Sequence, residues 1–321
     1  MDPEAGQSTA EADFTHIPVL PREVTTYLSF GDRPVKLIDG TLGCGGHSGL
    51  LLKAAPNARL LGIDRDEAAL NRATKRLDFA RDRITLVHGE FRDIYDIARA
   101  NGFTEADGIL LDIGVSSPQI DDPERGFSWR FDGPLDMRMD RSCSRTAADI
   151  LAEAGEQELT HIFRDYGELH SAAKLARAVI SHRKNGRFER TAEFAGFCEE
   201  VLGRTAPGKL PLPTLIFQAL RIAVNDELKQ LEDGLNGALK TLASGGRLAV
   251  ITFHSLEDRT VKNFFRLAAS SCVCPPGLPV CICGKRAEVK ILTRKVVTAQ
   301  EDELAENRRS APAKLRVVEK L

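Results

Sequence analysis

The chain lacks long apolar runs: its hydrophobic stretches are short and broken by charge, which excludes a membrane-spanning helix. Residues 1–15 are polar, acidic and small with no apolar stretch, which excludes a secretory signal peptide, and they read as a disordered tail. An excess of one charge is also missing. Lys and Arg number 44 against 46 Asp and Glu, a net −2, so no whole-molecule basic field draws the chain to nucleic acid and any basic surface must be local. Trp and Tyr are scarce, at one and three residues. Cysteines are present, but their odd number, seven, without a leader reads as reduced thiols in a cytoplasmic protein. The 321 residues suffice for one large domain or two modest ones, and no internal repeat is visible.

The first half alternates short apolar runs with helical stretches. Val35–Asp39, Arg59–Asp64, Ile84–His88 and Gly108–Asp112 read as strands; His47–Ala55 and Glu67–Leu77 read as helices between them. Strand–helix alternation at this spacing implies a parallel sheet with right-handed crossovers. The rhythm then stops. Residues 119–145 are rich in Asp, Arg, Gly and Pro, carry Trp129, and read as a long loop of the kind that is usually functional or disordered. From Thr146 to about Leu202 the pattern is helical. Leu220, Val224, Leu228, Leu231, Leu235, Leu239 and Leu242 follow the spacing of one face of a long helix, with Gly245-Gly246 as its stop. Arg247–Phe253 reads as a fifth core strand, and Lys290–Val297 with Lys314–Val318 as an antiparallel edge.

The strongest signal is Asp39-Gly-Thr-Leu-Gly-Cys-Gly-Gly-His-Ser-Gly49, which follows a strand and opens a helix. Glycines there permit a tight turn and close approach of a ligand to the backbone. A nicotinamide fingerprint needs a third glycine where Ser48 stands, and it lacks the preceding acid that Asp39 supplies, so the pattern suits a nucleoside cofactor without a pyrophosphate. Asp64 ends the second strand, where an acid accepts hydrogen bonds from both ribose hydroxyls. Phe91 follows the third strand, where it could stack on an adenine or be an ordinary core side chain, and Asp112 ends the fourth. Four strand ends thus converge on one crevice, which points to S-adenosylmethionine and methyl transfer. C5 methylation of a pyrimidine needs a cysteine nucleophile, commonly in Pro-Cys or Thr-Cys, and neither dipeptide occurs. Amine methylation needs only polar groups that hold the amine and align its lone pair. Ser116-Ser117-Pro118 stands where amino methyltransferases carry a polar-Pro-Pro-aromatic motif, so Ser116 and Ser117 are the candidate positioning residues and Asp136 the alternative acceptor.

The runs His16–Leu20, Asp39–Ser48, Gly62–Asp66, Gly108–Asp122, Glu124–Ser128, Asp132–Asp140, Phe217–Asn225 and Phe253–Arg259 resemble the RsmH (MraW) family, the 16S rRNA (cytosine(1402)-N(4))-methyltransferases, from about His16 to the C-terminus. The resemblance implies a Rossmann-like class I S-adenosylmethionine-dependent α/β core with an inserted helical domain. The core is expected over 16–118 and 211–321, and the insert, which would recognise substrate, over 119–210. It implies cofactor contacts at Gly45, Gly46, His47, Asp64, Phe91, Asp112 and Gln119. The implied partner is 16S rRNA in the small ribosomal subunit, without a membrane; the oligomeric state stays open, a homodimer included. The chain departs from the family before Phe217, where Pro211–Ile216 lacks a His and an Arg, and near the C-terminus, at Asn307–Pro312.

Two features stand apart from that core. Cys272, Cys274, Cys281 and Cys283 form a pair of Cys-x-Cys motifs that could take a structural zinc or be a proline-rich loop with small apolar cysteines. Residues 164–190 carry seven Lys and Arg against three acids, either a solvated helix face or an RNA backbone contact. Two other readings stay open: methylation of another amine, on protein or small molecule, and a non-catalytic RNA-binding assembly factor, which would not need an intact cofactor crevice.

Overall fold

A computed structural model describes residues 17–205, 208, 210–275 and 281–321, so the expected tail over 1–15 lies outside it. Strands β1 (Val35–Asp39), β2 (Ala58–Asp64), β3 (Ile84–His88), β4 (Ala106–Asp112), β5 (Leu242–Thr252), β6 (Val289–Ile291) and β7 (Lys314–Lys320) form one sheet in the order β3-β2-β1-β4-β5-β7-β6. The first five are parallel, and β7 runs antiparallel to both β5 and β6. This is the class I methyltransferase arrangement. After α1 (Pro21–Tyr27), helices α2 (Gly46–Ala54), α3 (Glu67–Arg76) and α4 (Ile94–Ala100) make the crossovers. Leu37, Leu60, Leu110 and Ile251 pack on one face of the sheet, Ile38, Leu61, Ile109 and Val250 on the other. Burial on both faces is why these strands read as unbroken apolar runs.

After β4 the chain leaves the sheet for α5 (Ser117–Asp121), α6 (Ala147–Glu153), α7 (Glu156–His161), α8 (Ala172–His182), α9 (Thr191–Leu202) and α10 (Leu212–Asn225). Thr146 starts α6 with a reciprocal cap: its hydroxyl accepts from the Asp149 N–H, and Asp149 accepts from the Thr146 N–H. The helices have their own core, including Ile150, Phe163, Leu175 and Phe194. Ile216, Phe217 and Leu220 of α10 belong to that core, so the boundary expected at 211 precedes a helix that packs with the insert.

The single long helix expected from the leucine spacing is instead two helices, α10 and α11 (Glu227–Thr241). They are separated by Asp226, which adopts the left-handed conformation at φ 50° and ψ 38°. The break redirects the stripe. Leu220 lies in the helical core, whereas Leu231, Leu235 and Leu239 pack beneath the sheet with Ile94 and Ala98. Gly245-Gly246 is not the helix stop either. The helix ends at Thr241, and the two glycines lie inside β5, where the pairing with β4 shifts from Ala106–Leu242 to Gly108–Arg247. Helix α12 (Ser255–Ala268) follows β5, and α13 (Glu301–Glu306) precedes β7. The expected antiparallel edge forms with a shorter first strand, Val297 adding only one bridge to Leu315.

Candidate functional site

A cavity of about 560 Å³ opens at the carboxyl ends of β1, β2 and β4. The chain leaves β1 toward one side of the sheet and β4 toward the other, and such a switch point leaves a crevice for a ligand. The glycine-rich turn after β1 is held by its own acid. Asp39 accepts from the Ser48 hydroxyl at 2.6 Å and from the Thr41 N–H at 3.2 Å. Asp64 accepts from the N–H groups of Gly43 and Asp66 at 2.7 and 2.8 Å, tying that turn to the end of β2. The Asp112 N–H donates to the Thr41 hydroxyl at 2.6 Å, and one Asp112 carboxylate oxygen lies 3.6 Å from Nε2 of the buried His47.

Burial dominates the titration of all three acids. Burial, reinforced by Asp64 and opposed by the two hydrogen bonds, raises Asp39 to about 6. Burial, then the nearby Asp39 and Glu257 carboxylates, raises Asp112 to about 8. Burial raises Asp64 as well. A ligand carrying positive charge would relieve this cost, whereas a pyrophosphate would increase it.

The irregular segment after α5 closes one side. Gln119 donates to Asp66 and accepts from the Ser116 N–H, both at 3.0 Å. Arg125 donates to Asp66 and to the carbonyls of Arg138 and Met139. The buried Asn225 at the end of α10 accepts from the Met139 N–H and donates to the Met137 carbonyl, each at 2.8 Å. Another side is closed by residues far apart in sequence: Ile17–Val19 and Asn307–Arg309 both line the cavity. The Leu20 N–H donates to Glu303 at 2.7 Å, and Asn307 donates to the Ile17 carbonyl at 3.2 Å, joining the two segments.

The cavity is also lined by Thr214 and Arg221 of α10, Glu227 at the start of α11, and Phe253 after β5. Arg221 donates Nε and Nη2 to the two oxygens of Glu227 at 2.8 and 2.9 Å, and lies 3.9 Å from Glu257. Ligand atoms of Glu227, His254 and Glu257 lie within 4.8 Å of one another, a spacing compatible with a metal. The Arg221 guanidinium already supplies the positive charge to that group, which argues against a metal there.

Gly46, His47, Asp64, Phe91, Asp112, Ser116 and Gln119 all line the cavity. Phe91 is also wedged against α11: a Cβ on Gly234 would sit 2.4 Å from its ring, so the ring fills the space that glycine leaves. Gly45 is not among the lining residues. It caps α2 at φ +73°, and a Cβ there would meet Leu77 at 3.2 Å, so this glycine serves the turn and its packing. Asp136 is not among them either. Arg138 grips both of its oxygens and, against the effect of burial, holds its carboxyl below the usual range. The side chain of Ser117 lies outside the described residues. Sequence reading passed over Arg221 and Glu227, whose only signal was charge placed inside an apolar helical stripe.

In the basic stretch, Arg183 donates to the carbonyls of Leu151 and Ala154, Lys174 donates to that of Val201, and Arg187 and Arg190 pair with Asp149 and Asp132. These cations are committed within the fold, which favours the structural reading of that stretch. Elsewhere, the four sulfurs of Cys272, Cys274, Cys281 and Cys283 cluster together. Among the described residues no helix is long and apolar enough to cross a membrane.

The model of the MraW methylase family matches residues 13–321. Ribosomal RNA small subunit methyltransferase H of Carboxydothermus hydrogenoformans is 47% identical over 313 residues, covering 96% of this chain and 99% of its own. The protein of that name from Geobacter sp. strain M21 is 48% identical over 311 residues, with the same coverage. A solved rRNA methylase from Streptococcus thermophilus aligns over 93% of this chain and 95% of its own at 11% identity and a TM-score of 0.42, too distant to bear on function. With a family match spanning nearly the whole sequence and relatives near half identical end to end, the chain belongs to the MraW methylase family.

Proposed function

We propose that this chain transfers the methyl group of S-adenosylmethionine to the N4 amine of a cytosine in small-subunit ribosomal RNA, by resemblance C1402 of 16S rRNA, and that it does so in the cytoplasm. The observation that carries the reading is one cavity lined by two unlike groups: buried Asp39 with half-buried Asp64 and Asp112 at the strand ends, and the Arg221–Glu227 pair. The first group fits the cofactor, whose ammonium and sulfonium charges suit carboxylates that burial has raised. Asp64 would hold the ribose hydroxyls, and Gly46, His47, Phe91, Asp112 and Gln119 would surround the rest. The bound cofactor supplies an electrophilic methyl group.

The chain's remaining task is to position the acceptor. The N4 lone pair is delocalised into the cytosine ring, so a side chain accepting a hydrogen bond from the amine favours pyramidal geometry and aims the lone pair. Ser116 and Ser117, after β4, are the proposed positioning residues. No base is needed before attack, because the methylated ammonium is a strong acid and loses its proton afterwards. The cytosine must leave its stack to enter, which suits a single-stranded segment; the 119–210 insert would present it. Mass mapping of small-subunit rRNA from cells lacking this protein should show N4 methylation lost at one cytosine and restored on re-expression. An unchanged map overturns the reading, and a methyl group on C5 overturns the mechanism. Absence of cofactor binding by calorimetry would favour the assembly-factor alternative.

The cysteine cluster is proposed to hold a structural zinc. With Zn–S bonds near 2.3 Å, the edges of a thiolate tetrahedron are about 3.8 Å. The sulfur separations are 3.5 Å for Cys272–Cys281, 3.6 Å for Cys281–Cys283, 3.8 Å for Cys272–Cys283 and 3.9 Å for Cys274–Cys281. The N–H groups of Val273 and Cys274 donate to sulfur, as suits thiolates. Elemental analysis of purified protein should find about one zinc per chain. A metal-free preparation with full activity and unchanged stability overturns the assignment.

A further inference from the structure

Arg221 and Glu227 form an ion pair in an expensive place. Glu227 is 5% exposed and the Arg221 side chain 14%. Removing both charges from water costs more than such a pair usually returns, so stability alone does not account for it. The pair is also built to stay still. The left-handed Asp226 sets the angle between the two helices that carry it. Gln230 braces the break by donating to the Asn225 carbonyl at 3.0 Å and to Glu90 at 2.9 Å. The two side chains meet through two parallel hydrogen bonds, the geometry that fixes a guanidinium most rigidly. Each keeps capacity to spare: Glu227 has unused lone pairs, and Arg221 has N–H groups beyond the two it gives to Glu227. Both residues line the same cavity as Asp39, Asp64 and Asp112.

A fixed acceptor beside a fixed donor is the complement of an aminopyrimidine edge. Cytosine presents the N4 amine as donor next to N3 as acceptor. Uracil presents the reverse, O4 as acceptor next to the N3–H donor. A carboxylate accepting from cytosine N4 is an established mode of base reading. We infer that Arg221 and Glu227 form the subsite that reads the Watson–Crick edge of the acceptor base, Glu227 accepting from N4 and Arg221 donating to N3, and that this pair selects cytosine over uracil. The inference rests on the proposed cytosine specificity and names the residues that produce it. With uracil in place, O4 faces the carboxylate and N3–H faces the guanidinium, so both contacts become repulsive.

Glu227→Gln tests the pairing with a gain as well as a loss, because the amide can offer N–H to uracil O4. The substrate is small subunits from cells lacking the protein, carrying cytidine at the target position. The competitor is the same subunits carrying uridine there. Against the wild type, uridine subunits should inhibit poorly. With Glu227→Gln, the ratio of the uridine inhibition constant to the cytidine KM should fall by roughly ten- to a hundredfold, as expected for one base-edge contact. Binding of S-adenosylhomocysteine, measured by calorimetry, should stay at the wild-type value. An unchanged ratio in a variant that still binds S-adenosylhomocysteine overturns the inference. If Glu227→Gln does not bind it, Arg221→Lys decides: it keeps the charge but loses the fork, and the same ratio should fall, while an unchanged ratio again overturns the inference. Wild-type N4 methylation of the cytidine subunits is the separate check on the function itself.

Discussion

Replacing Asn225 by Ala should both destabilise the protein and loosen one side of the cavity. The carboxamide lies between α10 and the 137–139 backbone, 8% exposed, accepting from the Met139 N–H and donating to the carbonyls of Met137 and Arg221. The Arg221 carbonyl loses little, since it lies within the helix. The Met139 N–H and the Met137 carbonyl lose a buried partner each, and an orphaned buried backbone group costs about 1–3 kcal/mol. The expected total is therefore about 2–6 kcal/mol, a large fraction of the stability of most domains. Urea denaturation of wild type and variant measures the total, and hydrogen exchange at the Met139 amide reports the local opening. Because Met139 lines the cavity, affinity for S-adenosylmethionine should fall in parallel. A stability change below about 0.5 kcal/mol, with Met139 protected as in the wild type, would refute the reasoning.

Asp64→Ala removes the acceptor for two backbone N–H groups and the proposed ribose contact; calorimetry should show cofactor binding weakened by about 1–3 kcal/mol, and wild-type affinity would remove Asp64 from the site. Gly234→Ala places a methyl 2.4 Å from the Phe91 ring; overpacking of this kind costs about 1–3 kcal/mol and should shift that wall, so an unaltered melting temperature would contradict the packing. Asp112 is held at about 8, while an unfolded aspartate titrates near 3.9. Between those values the folded state holds the extra proton, so stability of the ligand-free protein falls as pH rises across the window. Asp112→Asn should therefore gain more over wild type at pH 8 than at pH 5, and an equal difference at both would count against the burial of this acid.

Legibility in the sequence followed the range of the forces involved. The core strands were readable because burial on both faces demands apolar runs, and Asp39, Asp64 and Asp112 because parallel strands end where ligands bind. The Asp226 break was not readable. A 4/3 leucine spacing continues through a change of direction, and an aspartate gives little notice of a left-handed conformation. The packing role of Gly45 was not readable, because glycine in such a turn can admit a ligand, a neighbouring side chain or both, and only the fold brings Leu77 against it. For Asp136, the alternative acceptor, the sequence did not show that Arg138, two residues on, donates to both of its oxygens. The Arg221–Glu227 wall depends on how α10 and α11 fold back over the sheet, a long-range arrangement that no local pattern encodes.

The joining of Ile17–Leu20 to Glu303 and Asn307 has a bearing on how this protein is born. Synthesis delivers the N-terminal part of a chain first, so β1 to β4 with the glycine-rich turn precede the rest of the sheet. The crevice they frame would stay open on one side until the Asn307–Arg309 segment had emerged and met residues 17–20. A nascent or prematurely terminated chain without that segment would then hold strands and a glycine-rich turn but not a finished chamber.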